Sequence, residues 1–337
     1  MTIPSVEPLF PAARVAIVGR TESPTNPLLE REWRALGIDA RVLAPAAAEA
    51  LLRPGDAALG RLDVRATLDG LEPGLLALLG LARRGVRVYN RPATLLAAHD
   101  KLRTARLLAA AGLPHPRTVH LRGGEPLPDL APPLVLKPRF GSWGADVTRC
   151  ESGREVERRL ALLRDRGWFR RQGVLVQELV PPCGHDLRLL VAGGRIVGAI
   201  RRRARPGDWR TNISLGGTPE PVVPPAAARS LALAAAAAIG ADLVGVDLLP
   251  DGDGFTVIEL NGAVDFDDPE YSTRGENIFA AIAAALDLGS LGGRSVEVAL
   301  GVGTDRLSRR RSTQRPASSV LARVGGTPPR AWRFPLG

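Results

Sequence analysis

Asp247, Glu259 and Asn261 are the residues whose types and spacing point most directly to chemistry. Glu259 and Asn261 are two apart in Phe255 to Asn261, so on a strand they share one face. If Pro250 to Gly254 makes a hairpin turning about Asp253, Asp247 falls opposite Glu259, with Cβ atoms about 5 Å apart. Ile258 and Leu260 would then face the core. Two carboxylates and a carboxamide make an all-oxygen set suited to Mg²⁺ or Mn²⁺, with phosphate oxygens and water completing the shell. The plainer alternative is a solvated hairpin face. Asp247 argues against it, because it sits inside the apolar stretch Leu243 to Leu249, where a lone carboxylate is costly unless paired or metal-bound.

A second signal is compositional. Of the 45 basic residues only Lys101 and Lys137 are lysines. Arg and Lys are not equivalent where a compact ammonium must reach one phosphate oxygen, so these two are candidates for a chemical task, against simple survival on the surface. Lys137 ends an apolar run, Leu134 to Pro138, that leads into Gly141-Ser142-Trp143-Gly144. The loop lacks G-K-[ST] and no helix follows, so it is not a P-loop. A glycine flap can still bring backbone N–H groups to phosphate oxygens, although this segment alone reads rather as an ordinary hairpin with a surface lysine. A third, cationic group comprises Asp186 and Arg188 on one strand face, Arg202 on the next strand, and Arg210 with Asn212 beyond. Guanidinium groups clamp carboxylates and phosphates in pairs. In the run Arg201 to Arg203 only Arg202, which shares its face with Gly198 and Ile200, is assigned a function; the rest reads as a solvated edge.

Alternating elements must position these groups. Strands are expected at Arg14 to Gly19, Asp39 to Leu43 and Val86 to Tyr89, with helices at Asn26 to Leu36 and Leu71 to Arg84, which argues for a small parallel sheet. Only Gly19 follows the first strand, so no dinucleotide fingerprint is present. One helix is expected over Ala93 to Ala111, stopped by Gly112 and Pro114. Further strands are expected at Leu134 to Pro138, Ala145 to Thr148, Val174 to Val180, Asp186 to Val191, Arg195 to Arg202, Leu243 to Leu249 and Phe255 to Leu260. Helices are expected at Glu155 to Arg166, Ala226 to Ile239 and Gly275 to Leu286.

The chain has 337 residues, with apolar residues at 45% and charged residues at 24%. That fits a soluble globular protein with room for two or three packed units. No uncharged apolar run is long enough to span a membrane. The start carries Glu7 and no basic residue, unlike a signal peptide. The two cysteines, Cys150 and Cys183, imply neither a disulfide framework nor a zinc site, and a cytoplasmic setting is expected. The net charge is +10, but nine Arg against Glu297 and Asp305 put +7 of it after residue 290. That tail reads as solvated and poorly ordered rather than as a nucleic-acid arm.

The order of motifs is similar to the ATP-grasp superfamily, nearest to RimK-like and LysX-like amino-acid ligases. The residues that carry the resemblance run from His99-Asp100-Lys101-Leu102-Arg103 through Val135-Leu136-Lys137-Pro138, Gly141-Ser142-Trp143-Gly144 and Gln177-Glu178-Leu179-Val180. They continue with Asp186-Leu187-Arg188, Arg210-Thr211-Asn212, Asp247 and Glu259-Leu260-Asn261. The resemblance spans about residues 85 to 287. It implies a pre-ATP-grasp α/β domain (1–92) and an α+β ATP-grasp fold of two subdomains gripping ATP (93–181 and 182–290), followed by the tail (291–337). It also implies a carboxylate–amine ligase working through an acyl phosphate, adding an amino acid such as glutamate to a peptide, protein or small-molecule acceptor. An ATP-grasp kinase or a dipeptide ligase is the alternative, as is nucleic-acid binding through the tail.

Carried over by position, Lys101 and Lys137 would hold ATP phosphates under the loop Gly141, Ser142, Trp143 and Gly144. Gln177, Glu178 and Leu179 would flank adenine, with Glu178 and Leu179 reading it largely through backbone groups. Asp186 would bind the ribose side, and Arg210 and Thr211 the nucleotide. Arg188, Arg202 and Asn212 would act on the reacting groups, and Asp247, Glu259 and Asn261 would hold Mg²⁺. The loop is nearer the LysX type. After Asn261 the stretch Gly262 to Glu270 carries no substrate signature, so the acceptor is left open, as is the oligomeric state, a homo-oligomer included.

Overall fold

The computed structural model describes residues 13–291, apart from 124, 128, 268–270 and 272–274. The tail reading, and the last residues of the Gly262 to Glu270 stretch, lie outside the described residues.

The first sheet is parallel, in the order β2-β1-β3-β4, from β1 (Arg14–Gly19), β2 (Asp39–Leu43), β3 (Ala57–Arg61) and β4 (Arg87–Tyr89). Its central strands are buried on both faces, which is why β1 reads as an unbroken apolar run. α1 (Thr25–Ala35) covers one face, where Trp33 is fully buried. α2 (Pro45–Leu51) and α3 (Leu75–Arg83) cover the other. Neither β3 nor α2 is legible in the sequence. The β3 run Ala-Ala-Leu-Gly-Arg has weak strand propensity, and burial between β1 and β4 overrides it. The helix expected from Leu71 starts at Leu75, because Leu71 pairs with Val64 in an isolated bridge.

The single helix expected over Ala93 to Ala111 is two helices, α4 (Pro92–His99) and α5 (Lys101–Ala110). Asp100 breaks it. Its backbone is extended, with ψ 94°, and its carboxylate accepts the N–H groups of Leu102 and Arg103 at the start of α5.

The second sheet is antiparallel, in the order β5-β8-β6-β7, from β5 (Thr118–Leu121), β6 (Leu134–Pro138), β7 (Thr148–Cys150) and β8 (Val174–Glu178). α6 (Gly153–Leu163) and α7 (Gly167–Gln172) pack with it. β7 starts at Thr148, later than the strand expected from Ala145. Trp143, Gly144 and Asp146 all have positive φ and fold the chain into turns there.

The third sheet runs β11-β10-β9-β12-β13, from β9 (His185–Ala192), β10 (Arg195–Arg203), β11 (Thr218–Pro221), β12 (Leu243–Asp251) and β13 (Gly254–Asn261), all antiparallel. α8 (Ala226–Ala238) covers one face. α9 (Ile278–Ala285) covers the other and packs against α1, where the Trp33 indole donates to the Phe279 carbonyl at 3.0 Å. Gly193 in the β9–β10 turn must lack a side chain, since a Cβ there would lie 2.0 Å from the Ala285 carbonyl oxygen.

Asn90 joins the first sheet to the third. Its side chain is buried, donates to the Leu243 carbonyl at 2.7 Å, and accepts the N–H groups of Asp242 and Leu243. The first sheet, α4 and the third sheet therefore make one framework beneath the site.

Candidate active site

Asp247 and Glu259 are register partners on β12 and β13, and Gly245 pairs with Asn261. The hairpin tip is Gly252–Asp253, and from there a regular ladder would put Ile258 opposite Asp247. A β-bulge between Leu248 and Asp247 advances β13 by one residue and brings Glu259 into register instead. Two residues then oppose one, so Ile258 lines the cavity with Glu259 rather than facing the core; Leu260 is buried as expected.

Above this hairpin lies a cavity of about 130 Å³. Its lining includes Lys101, Lys137, Gly141, Ser142, Gly144, Gln177, Glu178, Leu179, Asp186, Arg202, Arg210, Thr211, Asn212, Asp247 and Glu259. Trp143, Arg188 and Asn261 line a second cavity instead, of about 300 Å³, which shares Ser142, Arg202 and Asn212 with the first.

Both lysines are buried. Lys101 leaves the first turn of α5, pairs with Glu259 at 2.9 Å and donates to the Gly141 carbonyl at the loop. Lys137 donates to Gln177 Oε1 at 2.8 Å, and Gln177 in turn donates to Thr118 at 2.7 Å. Gln177 thus orients the ammonium from the neighbouring strand. Burial and the nearby Lys101 bring Lys137 down to about 8, against a smaller upward pull from Glu259. In the loop, a Cβ on Gly144 would approach Asn212 Oδ1 to 3.0 Å, so the missing side chain lets Asn212 close onto it. The N–H of Glu178 is used by the Arg117 carbonyl and that of Leu179 by Pro133, which takes those two donors from any base bound there. Arg210 is held by Asp208 at 3.0 Å.

The cationic group is a knot of ion pairs. Arg188 grips both oxygens of Asp247, at 2.7 and 2.8 Å. Arg202 reaches Asp247 Oδ2 at 3.0 Å and also grips Asp186, which Thr211 approaches at 2.6 Å. Burial alone would raise the Asp247 pKa, but the two guanidinium groups outweigh it and hold the carboxyl well below the usual range. Burial would likewise lower Arg188, and Asp247 outweighs it. Arg201 and Arg203 instead pair with Glu220 at the surface.

Among the described residues there is no cluster of three or more His, Cys, Asp or Glu that could hold a metal. The oxygen set is two carboxylates and one amide. Asp247 receives four N–H contacts, two from Arg188, one from Arg202 at 3.0 Å and one from Asn261 Nδ2 at 3.5 Å. A carboxylate offers about four acceptor positions, so a metal bound there would displace one of them, the long contact from Asn261 being the weakest. Hard oxygen donors with phosphate oxygens nearby fit Mg²⁺ chemically.

Sequence reasoning missed the second cavity. It is also lined by Asp63, His99, Val264 and Asp265. Asp63 follows β3, which the sequence hides, and Asp265 lies in the stretch without a recognised signature. The one available signal was His99, which stands directly before Asp100-Lys101.

Known proteins resemble this chain in sequence and fold. Residues 98–286 match the family model of the RimK-like ATP-grasp domain. A protein of Thioalkalivibrio sulfidiphilus named probable alpha-L-glutamate ligase is 35% identical over 196 residues, covering 56% of this chain and 64% of that protein. One of the same name from Aeromonas salmonicida is 32% identical, covering 59% of this chain and 67% of that protein. The match therefore spans about two thirds of the length of these relatives. The crystal structure of a RimK-domain ATP-grasp protein from Sphaerobacter thermophilus superposes with TM-score 0.59 at 28% identity, over 81% of this chain and 99% of that one. The D-alanine–D-alanine ligase of Bacillus anthracis in complex with ATP shares the fold, with TM-score 0.60 at 17% identity, over 83% of this chain and 96% of that one. Family match and fold thus place the chain in the ATP-grasp class. Within that class, the chain belongs to the RimK-like ATP-grasp family.

Proposed function

We propose that the protein joins a carboxylate to an amine through an acyl phosphate, adding an amino acid such as glutamate to a peptide, protein or small-molecule acceptor. The observation that carries this is the convergence of the chain's only two lysines, the glycine loop and the Asp247–Glu259 pair on one cavity. The names of the relatives support glutamate as the amino acid.

In this reading Lys101 and Lys137 bind phosphate oxygens, with Gly141 to Gly144 closing over them. Arg210 and Thr211 bind the nucleotide and Asp186 its ribose side. Gln177, Glu178 and Leu179 flank the base. Asp247, Glu259 and Asn261 would hold Mg²⁺, which when bound neutralises phosphate charge. Arg188, Arg202 and Asn212 face the reacting carboxylate and its phosphorylated form, where fixed guanidinium groups stabilise developing negative charge without reorganising. Loop closure excludes the water that would hydrolyse the acyl phosphate.

The test is ADP release in Mg²⁺ with L-glutamate as the amine and peptides ending in glutamate as the carboxylate, followed by product mass. An amide product weighs the sum of its substrates less one water. A product heavier by a phosphate would point to an ATP-grasp kinase and overturn the reading. Hydroxylamine in place of the amine should trap the acyl phosphate as a hydroxamate. Among the described residues no helix is long and apolar enough to cross a membrane.

A further inference from the structure

The second cavity carries chemistry that the nucleotide site does not use. His99, at the end of α4, lines it and is 4% exposed, yet its Nε2 is buried with no hydrogen-bond partner. A buried polar atom left unpaired is costly, so it calls for an explanation. Gly262 packs beside this nitrogen, and its missing side chain avoids crowding it, since a Cβ there would stand 3.2 Å from Nε2.

The groups facing His99 are Asp63, Lys101, Glu259 and Arg61. Burial is the largest influence on its ring and, with Lys101 and Arg61 acting in the same direction, keeps it uncharged at neutral pH. Asp63 Oδ1 lies 3.8 Å from Nδ1. A carboxylate on that side favours the tautomer protonated at Nδ1, which leaves the Nε2 lone pair as an acceptor. The atom without a partner is thus one that seeks an N–H donor.

The charge of the walls points the same way. Arg188 and Arg202, the guanidinium groups lining this cavity, are already taken by Asp247 and Asp186. Asp63 and Asp265 add carboxylates. Asp63 Oδ1 accepts the Val64 N–H at 2.6 Å and Ser142 Oγ at 3.5 Å. Among the described residues its Oδ2 meets only Arg20, at 3.4 Å from an exposed position, and Arg61 stands 3.9 Å from Asp265. The Asp63 and Asp265 carboxylates match an ammonium.

Buried supports fix this wall. Arg61 donates to Asn26 Oδ1 at 2.5 Å and to the Val264 carbonyl at 2.8 Å. Thr25 and Phe266 exchange hydrogen bonds at 3.2 and 2.9 Å, and Ser23 donates to Asp265 at 3.2 Å. The segment after the metal-ligand strand is thereby pinned to the first sheet. That is a preorganised seat, held by neighbours whose own positions are fixed.

We propose that this cavity seats the primary amine substrate, with the Asp63 carboxylate and His99 Nε2 as the acceptors of its N–H groups. The inference rests on the ligase reading. The amine arrives as an ammonium and gives up one proton to water. Its nitrogen lone pair then forms the N–C bond, the acyl C–O bond breaks with its electron pair going to phosphate, and the departing phosphate takes the surplus proton.

The test uses the full chain with Mg²⁺, ATP and a glutamate-terminated peptide. ADP release is measured against L-glutamate and, separately, against hydroxylamine, which is too small to need the seat. In Asp63→Asn and His99→Leu, the KM for L-glutamate should rise by about tenfold or more relative to that for hydroxylamine, as expected for losing one charge-assisted hydrogen bond. Should Asp63→Asn fail to fold, His99→Leu, which has no acceptor at the ring position, decides. Equal changes towards both nucleophiles, or no change towards either, would overturn the seat alone. A wild-type protein that makes no hydroxamate would overturn the ligase reading and the seat together.

Discussion

The two cavities share a wall and differ in how their charge is used. The first presents ammonium groups: among the described residues Lys137 has no carboxylate partner within ion-pair distance, and Lys101 has one, Glu259. The second presents carboxylates, and its guanidinium groups are spent in the Arg188–Asp247–Arg202 knot. On the proposed reading the knot stands between the phosphate site and the amine seat, so the nucleotide and the amine would meet at one reacting centre without exchanging places.

The comparison is broken most severely in the first cavity. Lys137→Met should lower kcat/KM for ATP by about 10²- to 10³-fold, the scale seen when a fixed electrostatic group is lost, measured by ADP release. In the wild type the same parameter should fall above about pH 8, as the Lys137 ammonium is lost. Lys137→Arg keeps its charge at that pH, so the fall should vanish even though the bulkier fork lowers the rate.

The knot itself should weigh on the fold. Asp247→Ala leaves two buried guanidinium groups without their shared partner and should cost about 3–5 kcal/mol, read by denaturant unfolding. Glu259→Gln, half-buried at the other end of the pair, should abolish ADP release at much smaller cost, and is the cleaner probe of metal binding.

Acid should act on two buried rings, His99 in the second cavity and His115, whose Nδ1 lies 2.7 Å from the Val257 carbonyl. Burial brings His99 and His115 to about 4, below the 6.5 of a free imidazole. The unfolded chain therefore binds more protons between those values. Stability is fully present above pH 6.5 and declines as pH falls towards 4, by up to about 1.4 kcal/mol per pH unit for each ring. Unfolding midpoints at pH 7.5 and 4.5 check this, and His115→Gln should remove part of the difference. Last and smallest, removing residues 292–337 should leave ADP release within about twofold, while loss of a nucleic-acid affinity on truncation would favour a binding role for the basic tail.

The first cavity was legible because its groups lie in short runs with their own chemistry. Two lysines stood out against a background of arginine, and Glu259 and Asn261 stood two apart on one strand. Even there, the expected opposition of Asp247 and Glu259 depends on a bulge that no pattern of residue types announced. The second cavity was opaque for a different reason. Asp63, His99 and Asp265 are each unremarkable in sequence, and they meet only because Arg61, Asn26 and Asn90 tie the first sheet to the third. Local propensity carries no record of such ties. It also gave one helix where Asp100 makes two, since a cap competes with helical periodicity only through its own side chain.

The scarcity of lysine has a practical consequence. Both ε-amino groups of the chain are buried in one cavity, at 8% and 6% exposure for Lys101 and Lys137. A reagent that acylates amines would find none of them on the outer surface. Slow labelling at these two positions, counted by mass and blocked by a bound nucleotide, would report occupancy directly and without a turnover assay.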